Sequence, residues 1–469
     1  MSLRDELESF LETLEVELPA ALEDDTPLLS TGQFDSAALF KLVLWIEEKI
    51  GAPIDPSSLD IATAWDSPRL IVEFIETRTA GSRGQPPAQP PRRASGLVLT
   101  RYAPEHADAV ARLQLGLWSP SVDLNLRYLD WKYAQNPYSR EPRLYLAFDG
   151  AELVAMRGFY PARWQAGRPP REEIVLVADD LVVRESHRNR GVVTEVMQWA
   201  LDDLRRQGVQ HVLNLSGGQL TVLGSLAMGW RSAGHLNPLG RLTAKRAVLA
   251  ALRSRLTALP LFWRYRSSPL FYASAEQQPL ARLVAPSTCN AKRFGMSVQI
   301  GAQPRAAEMA ALVARLDYDG RIRHVRDATY LAWRYGNPLN DYRFFYSGSD
   351  ALRGYLVVKW ARYGSGRVEI VDWEAEDERH LGALLEAAIS AGSFPELVTW
   401  GATRSDAVAR ALAQNRFAPV DRDLAVHGCP CILVRSCDAS RALKNWQLNG
   451  TPLLDLSRWD MRMVYSMAG

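Results

Sequence analysis

The segment Arg184-Glu185-Ser186-His187-Arg188-Asn189-Arg190-Gly191-Val192-Val193 follows an apolar run, Val175 to Val183, and its last two residues begin an amphipathic run, VVTEVMQWALDDLRRQG. A strand, a basic glycine-bearing loop and a helix in that order form a phosphate cradle. The glycine lets the backbone turn close to the anion, and the N–H groups from Asn189 to Val193 point at it from the positive end of the helix. Arg188 and Arg190 add charge. A second chemical candidate lies near the start of the chain, where Asp35-Ser36 precedes a helical pattern. On their own these residues read as a helix N-cap. A serine hydroxyl exposed at a helix start can also be modified and then carry a flexible arm. The four cysteines and seven histidines make no metal-ligand spacing, and Cys429-Pro430-Cys431 lacks a second ligand pair. Metal catalysis has no support, and the thiols read as reduced.

Three helical patterns, residues 5 to 17, 36 to 50 and 68 to 77, surround Ser36. Leu39, Leu42, Val43, Ile46 and Ile50 fall on one face of the second, so residues 1–77 read as a small helical bundle. Residues 78–96, rich in Pro, Gly and Ser, read as a flexible linker that at polyproline spacing reaches roughly 50 Å. Further on, Tyr128-Leu129-Asp130-Trp131-Lys132-Tyr133 with Asn136-Pro137 recurs as Tyr330-Leu331-Ala332-Trp333-Arg334-Tyr335 with Asn337-Pro338. A strand series, a helix and another strand follow each copy. The chain therefore divides into two mixed α/β domains, 97–245 and 290–440, with a connector at 246–289 and a C-terminal extension at 441–469. The connector reads as packing between domains, with a membrane-surface patch or a lipid-chain wall as the alternative. Trp131, Tyr133, Trp333 and Tyr335 read as core aromatics or as pocket walls.

At 469 residues the chain is long enough for several domains. It holds no apolar stretch of the ~20 residues that a spanning helix needs, and its acidic start lacks a secretory pattern. A cytoplasmic protein is expected. Net charge is +2 overall, yet residues 1–77 hold 17 Asp and Glu against 4 Lys and Arg. Opposite fields would help the acidic module dock on the basic body. The basic residues are dispersed and form no stripe for nucleic acid.

Residues 1–77 resemble an acyl or peptidyl carrier protein. The resemblance implies a four-helix bundle with 4′-phosphopantetheine on Ser36, a phosphopantetheinyl transferase that attaches it, and an acyl-activating or loading enzyme. Phe34 and Ala37 stand where the family has Gly and Leu. The segment Arg188 to Val193 resembles motif A of the GNAT superfamily of N-acyltransferases, with Val193 in place of a small residue. That resemblance implies that Leu181 to Val183 pair with pantetheine amides beside a bulge and that Val212 to Ser216 splay away. An acyl thioester would then meet a small-molecule amine in the slot. Val193 would crowd a coenzyme A pyrophosphate, which favours a carrier-bound donor over acetyl- or acyl-coenzyme A. The family's tyrosine acid maps onto Ser225. The amine must lose a proton, and Asp179 and Asp180, with Glu173 behind them, are the candidate bases; they equally serve to bind cations or to solvate a strand end. The second copy has acids from Asp372 to Glu378 at the matching point and reads as a degenerate GNAT-like domain. Alternatives are a carrier whose GNAT-like halves act as a scaffold for partner enzymes, and a decarboxylase or loading enzyme for a malonyl-type thioester.

Overall fold

The computed structural model describes residues 2–14, 22–28, 36–51, 65–81, 96–115, 117–187, 192–215, 222, 225, 230–242, 284–361, 368–392, 394, 396–420, 431–438 and 446–467. The acidic module holds α1 (Leu3–Glu12), α2 (Ser36–Ile50) and α3 (Pro68–Gly81) among them. Leu7, Leu11, Leu42, Val43, Ile46, Trp65, Ile71 and Ile75 form its buried core, as the 3.6-residue periodicity requires. The fourth helix of the expected bundle is not among the described elements. Helix α3 also runs to Gly81, past the expected boundary at residue 77.

The body opens with β1 (Leu97–Arg101), α4 (Ala107–Leu113) and α5 (Val122–Leu129), which passes into a π-helical turn at Asp130–Ala134. Then come β2 (Arg143–Asp149), β3 (Glu152–Ala166), β4 (Arg171–Val183), α6 (Val192–Arg206), β5 (His211–Asn214), β6 (Arg231–His235) and β7 (Pro238–Leu242). The second copy follows with β8 (Ser287–Ala291), β9 (Met296–Gly301), α7 (Ala306–Arg315), β10 (Arg323–His324), α8 (Ala328–Arg334), β11 (Asn340–Ser347), β12 (Gly354–Ala361), β13 (Val368–Ala375), α9 (Glu378–Ala391), β14 (Glu396–Trp400), α10 (Asp406–Gln414), β15 (Ala418–Pro419) and β16 (Cys431–Ser436). Among the described residues no helix is long and apolar enough to cross a membrane.

The sheets do not respect the division drawn from the sequence. The first sheet runs β1-β2-β3-β4-β5-β16-β6, and β10 also joins β3; the second runs β15-β7-β14-β13-β12-β11-β9-β8. Strand β16 of the second copy thus pairs with β5 of the first, Val434 opposite Leu213, while β7 of the first pairs with β14 of the second, Val398 opposite Gly240. Each copy lends the other a strand. Strand β8 likewise begins inside the expected connector, whose residues up to 283 lie outside the described chain. The expected C-terminal extension packs as core: Trp459, Met461, Val464 and Tyr465 are buried with Tyr160, Trp164 and Tyr330 from both copies.

The repeated Trp residues mark the local two-fold relation. Trp131 and Trp333 stack with centroids 5.0 Å apart and planes 14° apart. Each indole N–H donates to the other's carbonyl, Trp131 to Trp333 at 2.8 Å and Trp333 to Trp131 at 2.9 Å. Of the readings open to these residues, core packing at the seam is the one observed for the Trp pair.

Beside the seam, Arg326 donates to Asp372 at 2.7 Å and also to Glu374, and Arg462 donates to Glu374 at 3.2 Å. Burial opposes the charged form of Glu374, but the Arg326 and Arg462 guanidiniums outweigh it and hold the carboxyl down at about 2. A depressed acid stabilises the fold fully above its unfolded value near 4.5 and loses that contribution as pH falls toward 2. Burial pushes Asp372 upward against the same arginines, which offsets part of the loss. We expect the native body to lose roughly 3 kcal/mol of stability through this window from Glu374, and Glu374→Gln to flatten that limb in urea titrations between pH 5 and 2.5. An unchanged limb in the variant would contradict the assignment.

Candidate functional site

The site is built where β4 leaves regular pairing. Met156 faces Val182 and Gly158 faces Asp179, so Asp180 and Leu181 together oppose the single residue Arg157. This is a β-bulge on β4. Asp180 takes φ of 54°, the left-handed region that aspartate enters more readily than most residues. Strands β4 and β5 run parallel and, among the described residues, share two paired positions, Leu176 with Val212 and Val177 with Leu213. Strand β4 continues to Val183, whereas β5 ends at Asn214. Beyond Val177 and Leu213, toward the bulge, no further β4–β5 pairing is recorded among the described residues.

The carboxylates at the bulge are buried and held by the first sequence repeat. Lys132 donates to Asp179 and Asp180 at 2.7 Å each, Tyr133 donates its hydroxyl to Asp180, and Trp118 donates its indole N–H to Asp180 at 2.5 Å. The Lys132 ammonium also lies 5.1 to 5.5 Å from the ring centroids of Trp118, Tyr128, Tyr133 and Tyr160. Burial works against that ammonium, but the two carboxylates outweigh it and hold Lys132 above the ordinary lysine range. Burial likewise drives the Tyr133 phenol well upward, with Asp180 adding to the effect. Asp180 thus has its oxygens committed to three donors and anchors the bulge. Asp179 shares the same Lys132 ammonium.

The π-helical turn has a cause in the sequence. Tyr133 and Tyr335 are 202 residues apart, but Asn136 and Asn337 are 201 apart, because Ala134-Gln135 stands where the second copy has Gly336 alone. One inserted residue widens the helical turn, the usual origin of a π-bulge. Both copies nevertheless keep a tyrosine on the bulge carboxylate. Tyr335 donates to Asp372 at 3.1 Å beside a matching irregularity at Val357/Val358, and Tyr355 donates to the same oxygen at 2.9 Å.

Other expected site residues are distributed as follows. Leu181 and Val183 lie on the half-buried end of β4. Val192 opens α6 with its side chain in the core, and Val193 packs partly against that core. Arg188, Asn189, Arg190 and Gly191 lie outside the described residues. Ser36 is the first residue of α2, and its side chain also lies outside them. Ser225 is buried in a helical turn whose neighbours Val222 and Trp230 pack on the α6 side of the first sheet. Asp179 and Asp180 meet Lys132 and Tyr133 on the opposite face of the sheet. Glu173 is exposed, opposite Trp164 and six residues up β4 from Asp179, about 20 Å away at strand spacing. It is not part of the cluster.

Sequence reasoning missed Lys132, Trp118 and Arg157. The single-residue difference between the repeats was the available signal for Lys132. Arg157, inside an apolar strand, was visible only as an interruption.

Residues 110–222, from α4 through the bulge and α6 beyond β5, match the acetyltransferase (GNAT) family. No curated protein matches the chain. Among solved structures it is similar to a GCN5-related N-acetyltransferase from Anabaena variabilis, with 11% identity, 74% of each chain covered and a TM-score of 0.47. It is also similar to a probable N-acyltransferase of unknown function from Enterococcus faecalis, with 11% identity, 74% of each chain covered and a TM-score of 0.44. A tandem GNAT protein from the clavulanic acid biosynthesis pathway shares 14% identity over 73% of this chain and 99% of its own, with a TM-score of 0.43.

Proposed function

We propose that the chain is an N-acyltransferase that moves an acyl group from a phosphopantetheine thioester to an amine of a small molecule in the slot between β4 and β5. The observation that carries this reading is the β4 bulge at Asp180 and Leu181, set beside the short β4/β5 pairing and ahead of α6. The GNAT match over residues 110–222 supports it. The backbone from Leu181 to Val183 would hold the arm's amides, and the start of α6 with Arg188 to Val193 would hold its phosphate. When bound, the arm supplies the thioester. Asp179 takes a proton from the acceptor ammonium, and Lys132 keeps the two carboxylates side by side despite their like charge. The amine nitrogen then bonds to the acyl carbon as the carbon–sulfur bond breaks, and the departing sulfur is protonated from Asp179 or from water.

The donor is carried on Ser36, and coenzyme A thioesters are the simpler alternative. Ser36 opens α2, so its backbone stands at a helix start, the place a modified serine requires. Tethering would raise the donor's effective concentration at the slot. Its partners are a phosphopantetheinyl transferase, an acyl-activating or loading enzyme and an amine acceptor. Intact mass of the chain coexpressed with a broad phosphopantetheinyl transferase tests the tether. A pantetheine-sized gain is expected in the native chain and not in Ser36→Ala. No gain in either would remove the tether and leave acyl-coenzyme A as the donor.

A further inference from the structure

Arg157 is a cost that the mechanism above does not use. It is 3% exposed, on β3, directly opposite the bulge. Its alternation with Ala155 and Phe159 puts its side chain on the α6 face, and its guanidinium lies 5.8 Å from the Phe159 ring centroid. Its Nε is buried with no hydrogen-bond acceptor, and among the described residues no carboxylate forms an ion pair with it. A buried guanidinium carries five N–H donors in a fixed fork. Of these it is the Nε–H that is buried without an acceptor, an arrangement that folded chains seldom tolerate. The carboxylates nearby do not relieve it, because Asp179 and Asp180 turn to Lys132 on the other face. Burial pulls Arg157 below the ordinary arginine range even against the fields of Asp179, Tyr133 and Asp180.

We infer that Arg157 is a specificity-determining residue that receives a carboxylate on the donor's acyl group, so that the preferred acyl chains are those of dicarboxylic acids. This rests on the proposed donor slot and adds the class of acyl group to it. A carboxylate a few bonds beyond the thioester carbonyl matches the fork bidentately, in the pairing that arginine makes most strongly. An uncharged acyl chain would bury the guanidinium still further and satisfy none of it.

The test is calorimetric binding to the full chain, so it needs no acceptor. The probes are unreactive thioethers, S-propyl and S-(2-carboxyethyl), each on coenzyme A and on 4′-phosphopantetheine. The carboxyethyl probe is expected to bind the native chain at least about tenfold more tightly than the propyl probe. Arg157→Gln should erase that difference, and Arg157→Lys should restore part of it. Equal or tighter binding of the propyl probe to the native chain overturns the inference and needs no variant to fold. So does a preference that survives in Arg157→Gln. Failure of all four probes to bind is a different outcome, which would overturn the donor slot and the inference with it.

Discussion

Gly158→Ala is expected to cost about 2 kcal/mol of stability and, on the proposed function, to lower turnover by about a hundredfold. A Cβ on Gly158 would stand 1.9 Å from Tyr133 Oη, 2.9 Å from its ring carbon Cζ and 3.2 Å from Asp180 Oδ2. The tyrosine is fully buried and packed against Trp118, Tyr128 and Lys132, so it cannot swing aside without breaking its bond to Asp180. A carboxylate deprived of that donor stays buried and only partly satisfied. The bulge that shapes the slot then loses one of three ties. Tyr133→Phe should reproduce the loss of the hydrogen bond without the overlap, and with a smaller effect on stability. Chemical denaturation of both variants separates the two contributions. A Gly158→Ala protein as stable as native would mean that the tyrosine has room the structure does not give it.

The second large effect concerns the exchanged strands. Ile432, Leu433 and Val434 of β16 are essentially inaccessible in the first sheet, and fully burying three such side chains contributes roughly 6 kcal/mol. That is comparable to the whole stability of an ordinary domain. Residues 97–245 expressed alone lack this strand, expose the edge of β5 and leave β6 with no neighbour; residues 284–467 alone lack β7 and carry β16 without a place to pair. Neither piece should fold cooperatively, as judged by circular dichroism melting. Coexpressed, the two should copurify as a complex. Independent melting of either piece as a folded domain would show that the exchange is dispensable.

The duplication was legible because the Tyr-Leu-x-Trp-x-Tyr motif is long enough to be seen twice, and the strands because apolar alternation is a local signal. The exchange was not. Strands β7 and β16 have the same apolar pattern whichever sheet they enter, and nothing within five or six residues specifies a partner some 200 residues away. The cluster at the bulge was hidden for the same reason. Lys132 and Asp180 are 48 residues apart and meet only through the packing of the π turn on β4. Asp179 and Asp180 were visible as acids at a strand end, and both a catalytic and an ion-pairing role were open to them. The structure ties both to Lys132.

Strand β5 ends at Asn214, and its antiparallel neighbour β16 ends at Ser436. On a ribosome that adds about 5 to 20 residues per second, the growing chain waits roughly 10 to 45 s between the two. Throughout that interval the β5 edge has no native cover, and the first sheet cannot close however stable the finished protein is. Strand β7 waits a shorter time for β14, because Trp400 emerges well before Ser436. The second sheet therefore closes first, and the domain that is translated earlier is completed last.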